Sequence, residues 1–305
     1  MVDLNGLLAD VRLLVIGDPV AHSLSPAMHN AALRHLGMPF QYGSLRVAPE
    51  DLVAAFELLR SRELIGWNLT LPHKLESVRL MHCLDEIAEN LGAVNTVVHR
   101  SGKLFGFNTD AKGLEIAVEE AFNRPLGSMR VAILGAGGGA GQTAARYLAS
   151  IRVPLLYLVN RTVEKVEKLA KDLSSGSSSQ IIWTGWDRLP EVFAEVDLII
   201  NATTIGLDGK GADIKGIEAR HLFFDMVYAP GETESVRFAR SQGANAVDGL
   251  AMLLYQGVLA FEIWFGKPAP IEPMRNALYR AAGRKVPESK ASRRQTFRKP
   301  ESSSQ

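Results

Sequence analysis

Short apolar runs, each closed by a glycine or a polar residue, alternate with amphipathic stretches along most of this chain. VRLLVIG (11–17) is apolar at nearly every position, as a strand covered on both faces must be. From Pro26 a helix is predicted, with Met28, Ala31, Ala32 and Leu36 on its apolar side. FQYGSLRV predicts the next strand, and PEDLVAAFELLRS an amphipathic helix with proline at its start. LIGWNLTL, a helical stretch to about Leu91, and AVNTVVHR with strand character complete a first series. A helix over KGLEIAVEEAF leads to a second series, MRVAILG (129–135), LLYLVN (155–160), QIIWTG (180–185), VDLIINAT (196–203) and HLFFDMVY (221–228). Helical patterns at 138–150, 163–173 and 232–242 separate these runs, and the Ser/Gly stretch 174–179 reads as a loop inside the series. The βαβ rhythm predicts an α/β fold with a largely parallel sheet. GLAMLLYQGVLAFEIWFG (249–266) and PIEPMRNALYRAA (270–282) are helical but precede no strand, so they need a sheet elsewhere to cover.

Composition narrows the class. The chain has 305 residues, 47% apolar and 22% charged, which suits a soluble protein of two domains. No apolar run reaches the roughly 20 residues of a membrane span, and MVDLNGLLAD begins with an acid rather than a basic cluster. The one cysteine, Cys83, excludes a disulfide framework, fits a reducing cytoplasm, and sits in apolar helical company that suggests the core. Net charge is +1, but residues 284–305 carry seven Lys/Arg against two Glu, or +5, which leaves −4 for the rest. That tail reads as a solvated, disordered extension, or as a handle for acidic partners. No nucleic-acid motif is present in the body of the chain.

Candidate chemistry starts at VAILGAGGGAGQ (131–142), where Gly135, Gly137 and Ala140 fit G-x-G-x-x-G/A between a strand and a helix. Gly135 permits the tight turn, and Gly137 lacks the Cβ that would keep a pyrophosphate from the backbone. Ala136, Gly138 and Gly139 complete the loop, and the helix after it offers unpaired N–H groups and about half a unit of positive charge. The bland alternative is a tight turn alone. The next strand ends in Asn160, where an NAD site usually has an acid for the ribose hydroxyls; Arg161, Thr162 and Lys165 follow. No carboxylate there repels a 2′-phosphate and three groups can hold one, so the pattern predicts NADP, unless the cations are ordinary surface charge.

Polar clusters punctuate the first series. Ser25 before Pro26 reads as a helix N-cap, and with Ser23 it makes a pocket suited to a carboxylate; a plain cap explains it equally. Alternation puts Asn68 and Thr70 on one face of a strand end, followed by Leu-Pro-His-Lys. Asn95, Asn108, Thr109 and Asp110 stand at two further strand ends. Lys74 and Asp110 suggest an acid/base pair at a carbonyl or alcohol, with a surface salt bridge as the plainer use. The seven histidines are scattered without metal-ligand spacing, and His22, His29 and His73 read as structural.

HSLSP, NLTLPHK, AVNT, GFNTD, GAGGGA, NRT, NAT, DMVY and DGLAMLLYQ, in this order and spacing, resemble shikimate dehydrogenase over about residues 12–282. The resemblance implies NADPH-dependent, reversible reduction of 3-dehydroshikimate to shikimate. It implies a mostly parallel α/β substrate domain of residues 1–110 and 249–283 and a Rossmann-type NADP domain of residues 111–248, with 284–305 as the tail. Lys74 and Asp110 would be the catalytic pair, and Ser23 and Ser25 would hold the substrate carboxylate. Asn68, Thr70, Asn95, Asp110 and Gln256 would hold ring hydroxyls, with Tyr228 nearby. Gly135 to Ala140, Asn160, Arg161, Thr162 and Lys165 would bind NADP, with Met226 and Gly249 on the nicotinamide side and no metal. The expected partner is the small-molecule substrate, with no nucleic acid or membrane, and the protein a monomer or homodimer.

The chain departs from the family pattern at Trp67, which must face away from the ligand if Asn68 faces it. It departs again at Ala251, which replaces a common glycine, and at the missing arginine after the glycine loop. The basic tail has no counterpart. Quinate or aminoshikimate dehydrogenases are the alternative, and a non-catalytic NADP-binding sensor a more distant one.

Overall fold

The computed structural model describes residues 10–205 and 214–287; the N-terminal segment to Ala9 and the tail beyond Pro287 lie outside the described residues. The two series form two six-stranded sheets. The first contains β1 (Val11–Gly17), β2 (Gln41–Arg46), β3 (Gly66–Leu69), β4 (Cys83–Leu84), β5 (Thr96–Arg100) and β6 (Lys103–Phe107) in the order β2-β1-β3-β5-β6-β4. The second contains β7 (Val131–Leu134), β8 (Leu155–Val159), β9 (Gln180–Thr184), β10 (Leu198–Asn201), β11 (Leu222–Asp225) and β12 (Asn245–Val247) in the order β12-β11-β10-β7-β8-β9. The helices are α1 (Ser25–His35), α2 (Leu52–Arg60), α3 (Glu86–Leu91), α4 (Asp110–Phe122), α5 (Gly139–Ser150), α6 (Val163–Ser174), α7 (Leu189–Glu195), α8 (Glu234–Ser241), α9 (Leu250–Phe265) and α10 (Ile271–Ala281).

Apolar strands bury both faces. Along β1, Leu13 and Val15 enter a core closed by α1, α9 and α10, while Leu14 and Ile16 enter one closed by α2 and α3. Trp67 belongs to the second core, edge-on to Phe56 at 5.3 Å, so it faces away from Asn68 as its position in the strand requires. The C-terminal helices thus return to cover the first sheet. In the second sheet all pairings are parallel, and strand order reverses between β7 and β10, the switch point of a doubly wound dinucleotide fold. Among the described residues no helix is long and apolar enough to cross a membrane.

Five details differ from the sequence expectation. β6 is absent from the two expected series, although it supplies the strand end expected before Asp110: it pairs antiparallel with β5 through a two-residue turn, Ser101 (φ 51°) and Gly102 (φ 74°), and β3–β5 is antiparallel too. Both turn residues are left-handed, the geometry that fits the twist of a hairpin. The stretch before Leu91 is not one helix but a 3₁₀ turn (Glu76–Leu80), β4 and α3. Pairing of Cys83 and Leu84 with Phe105 and Gly106 takes them out of the helix, and Asp85 caps α3 by accepting from Ala88 N–H at 2.8 Å. Cys83, on that edge strand, is exposed rather than in the core. Finally, Leu24, not Ser25, is the N-cap of α1, and Arg284, expected in the tail, is ion-paired to Asp248.

Candidate active site

β3 ends at Leu69, and the chain turns tightly: His73 N–H donates to the Thr70 carbonyl at 3.0 Å. The His73 ring is buried 2.7 Å from the Val47 carbonyl, a structural role that fixes this loop. The neighbouring Lys74 is thereby aimed across the end of the sheet, where its Nζ donates to Asp110 Oδ2 at 2.8 Å. The side chains are 31% and 15% exposed, enough for the amine to exchange protons with solvent. Asp110 is the first residue of α4, so its carboxylate sits at the positive end of a helix. Asn108 fixes that end, accepting from the N–H groups of Asp110 and Ala111 and donating to the Ala93 carbonyl at 2.9 Å.

Beneath the pair lies a buried polar network. Asn68 donates to the Asn95 carbonyl at 3.1 Å and Thr96 Oγ1 at 3.0 Å, and accepts from Tyr42 Oη at 2.7 Å. Its amide is therefore engaged within the protein. Asn95 donates to Thr109 Oγ1 at 2.9 Å and accepts from Thr109 N–H at 2.8 Å, which locks the loop before Asp110. Thr70 is half-buried above the network, free of a side-chain bond there. Ser23 Oγ accepts from Ser25 N–H at 3.3 Å, and the buried Ser25 hydroxyl interacts with the Tyr42 phenol. Burial first, then this weaker opposing contact, leaves the Tyr42 pKa well above its ordinary value.

Two more elements reach the same end of the sheet. Gln256 on α9 lies against α4 because Gly113 has no side chain: a Cβ there would fall 2.9 Å from the Gln256 backbone nitrogen. The Gln256 amide donates to the Leu253 carbonyl at 2.7 Å. Tyr228, in the segment after β11, interacts with the backbone of Leu24 between the two serines; burial outweighs that contact and raises its pKa.

The glycine loop leaves the C-terminal end of β7. Gly135 has φ +80°. A Cβ on Gly137 would sit 2.8 Å from Asn160 Nδ2, and Gly137 N–H donates to Asn160 Oδ1 at 3.3 Å. Gly138 is the N-cap of α5, with no side chain capping it, so Gly139 and Ala140 open the helix exposed. Ala136 is fully buried and can offer only its backbone. The close helix–strand contact belongs to Gly141, where a Cβ would lie 2.3 Å from the Gly135 carbonyl oxygen, rather than to Ala140. That shift by one was available in the glycine run, which fits both registers. Asn160 Nδ2 also donates to the Thr162 carbonyl at 3.0 Å, and Arg161, Thr162 and Lys165 stand exposed around the start of α6. Met226 follows β11, and its carbonyl would meet a Cβ on Gly249 at 2.4 Å, so Gly249 cannot carry a side chain without moving this wall.

The loop and its surroundings suit a dinucleotide phosphate: an uncapped twelve-residue helix, a glycine cradle and two exposed cations with no acid at the end of β8. The Lys74–Asp110 pair, the serines and Gln256 gather at one end of the other sheet.

Three family models match this chain: the shikimate dehydrogenase substrate binding domain over residues 15–97, shikimate/quinate 5-dehydrogenase over 117–206, and the shikimate 5′-dehydrogenase C-terminal domain over 249–279. The shikimate dehydrogenase (NADP(+)) of Desulforamulus reducens is 41% identical over 274 residues, 87% of this chain and 94% of that protein. A crystal structure of a shikimate dehydrogenase in complex with NADP+ matches with a TM-score of 0.80 at 35% identity, covering 91% of this chain and 96% of that one. The Thermus thermophilus shikimate 5-dehydrogenase in complex with NADP(H) and shikimate matches with a TM-score of 0.78, also at 35% identity, over 89% and 99%.

Proposed function

The chain belongs to the shikimate dehydrogenase family, and from that premise we propose that it interconverts shikimate and 3-dehydroshikimate with NADP, using Lys74 and Asp110 as its proton-handling pair. The observation that carries the assignment of roles is the 2.8 Å contact between Lys74 Nζ and Asp110 Oδ2, made by residues 36 apart in sequence at two strand ends.

NADP, when bound, supplies the site that accepts or donates hydride. The chain supplies the rest. Ser23 and Ser25 anchor the substrate carboxylate at the start of α1, with Tyr228 reaching over from the second sheet. Thr70, Asn95, Asp110 and Gln256 hold the ring hydroxyls. Asn68, whose amide is engaged inside, acts by fixing Tyr42, Thr96 and Asn95 beneath them. Lys74 takes the proton from the reacting hydroxyl in the oxidative direction and returns it to the carbonyl oxygen in the other, where the ammonium also stabilises developing negative charge. Asp110 accepts from Lys74 and keeps Nζ aimed at that oxygen. Gly135 to Ala140 receive the pyrophosphate, and Asn160, Arg161, Thr162 and Lys165 the 2′-phosphate, while Met226 and Gly249 line the nicotinamide side. The lone cysteine suits a reducing cytoplasm, and sedimentation decides between a monomer and a homodimer.

A spectrophotometric assay with shikimate and with quinate, each with NADP and with NAD, tests the reading. Shikimate with NADP is expected to give the highest kcat/KM. No oxidation of shikimate sinks the proposal, and a preference for quinate with NAD moves the chain to the other named branch of its family.

A further inference from the structure

Arg284 follows α10 in the stretch whose composition reads as a loose basic tail, yet it is anchored on three sides. Its N–H donates to the Tyr279 carbonyl at 2.8 Å, which closes the end of α10. Its guanidinium then crosses from the first sheet's last helix to the second sheet's loops. There Nη2 donates to the Ala229 carbonyl at 2.7 Å and pairs with the Asp248 carboxylate. The side chains of Arg284 and Asp248 are only 16% and 7% exposed, so neither charge is a surface ornament. A buried carboxylate left without its cation is strongly unfavourable, which holds the guanidinium in place.

The two acceptors belong to different strand ends. Ala229 lies beyond β11 and Asp248 directly beyond β12. Ala229 directly follows Tyr228, and Asp248 directly precedes Gly249. These two segments are bonded to each other, Gly249 N–H donating to the Val227 carbonyl at 3.0 Å, and Asp248 Oδ1 accepts from Leu250 N–H at 3.3 Å at the start of α9. Tyr228 then reaches the Leu24 backbone between Ser23 and Ser25. One guanidinium therefore ties α10, the β11 loop and the α9 turn into a single wall. Both contacts leave the one nitrogen Nη2, so a lysine ammonium, on a shorter stem, can make them only in part.

We propose that Arg284 is a positioning residue for the substrate's carboxylate end, acting through Ala229 and Asp248 to hold Tyr228 against the serine pocket. The inference rests on the shikimate dehydrogenase reading above. It adds a residue outside the resemblance, at the start of a segment without counterpart in the family pattern.

The test is steady-state kinetics on the full chain carrying Arg284→Ala, Arg284→Lys, Asp248→Asn or the neighbouring control Lys285→Ala, with NADPH affinity measured separately by fluorescence titration. Arg284→Ala is expected to raise the shikimate KM about 10-fold, as small misplacements of binding groups do. Its NADPH Kd should stay within about 2-fold of wild type, because the glycine loop and the Asn160–Lys165 segment do not touch Arg284, and Met226 and Gly249 keep their own backbone bonds to Asn201 and Val227. Arg284→Lys should recover part of the KM, Asp248→Asn should raise it in the same sense, and Lys285→Ala should match wild type. Should Arg284→Ala fail to fold, Arg284→Lys with an intermediate KM and an unchanged NADPH Kd supports the inference. An unchanged shikimate KM in the folded Arg284 variants overturns it, as does a KM that rises only in step with the NADPH Kd, the sign of general loosening. A wild-type chain inert toward shikimate removes the functional reading and this inference with it.

Discussion

Asn68 donates twice and accepts once inside the protein, joining β2, β3 and β5, while Lys74, six residues later, is partly open to solvent. The two should therefore fail differently. Lys74→Ala is expected to lower kcat at least about 100-fold, with Tm and NADPH Kd nearly unchanged. Asn68→Ala leaves the Tyr42 hydroxyl and the Thr96 and Asn95 acceptors short of a partner, and should cost about 1–3 kcal/mol of stability, read from denaturant unfolding. On the second sheet, Arg161→Ala should raise the NADP KM about 10-fold and leave the NAD KM alone, since the proposed charge-assisted bond to the 2′-phosphate can be lost only with NADP. Lys74 and Asp110 were legible because both stand at strand ends beside polar clusters. The saturation of Asn68 was not, because its acceptor bond comes from Tyr42, 26 residues away on a strand whose order in the sheet no local pattern states.

Among the elements, α4 and α9 approach as closely as their backbones allow, and Gly113 is the reason. A Cβ there would lie 2.9 Å from Gln256 N and 3.1 Å from Gln256 Cβ. Gly113→Ala gains helix propensity of roughly 0.5–1 kcal/mol but overpacks a helix crossing, typically at about 1–3 kcal/mol. The expected net result is a lower Tm together with a higher shikimate KM, because Gln256 and Asp110 ride on the two helices being pushed apart; calorimetry and initial rates report each. Long apolar or amphipathic runs made α1, α2, α4, α9, α10 and β7 to β11 readable in advance, but not the three-residue β12. Short elements escaped. β6 is only KLFGF, and its partner turn, Ser-Gly, carries a weak hairpin signal. β4 is two residues long and exists only because β6 offers an edge.

For the molecule as a whole, pH sets two opposing contributions. Partial burial would raise the Asp197 carboxyl, but hydrogen bonds and charge from Arg130, with Arg124 beside it, hold it down at about 2. Its contribution is complete above the ordinary carboxylate value of 3.8 and is lost as pH falls through about 2. Asp225 behaves in the opposite sense. Burial, helped by the nearby Asp248 and opposed by Thr233, Val227 and Asn201, pushes it up to about 7. Stability is therefore lost as pH rises from about 3.8 to about 7 and is level beyond. Asp225→Asn should flatten the fall in Tm between pH 5 and 8, and Asp197→Asn should flatten it below pH 4. The α/β class, the glycine loop and the return of the last two helices could all be inferred from apolar periodicity and resemblance. The antiparallel hairpin inside the first sheet could not, since buried strands read alike whichever way they run.

The core shared by Leu13, Val15, Met28 and Tyr42 is completed by α9 and α10, whose residues begin at Leu250, whereas the last strand of that sheet ends at Phe107. On the ribosome, then, the first sheet is finished long before its cover is made, by roughly 10–30 s at ordinary elongation rates. During that interval its apolar face is a target for chaperones and proteases. Nascent chains arrested before α9 should be cleaved within the first sheet, and chains extended past α10 should resist the same protease pulse.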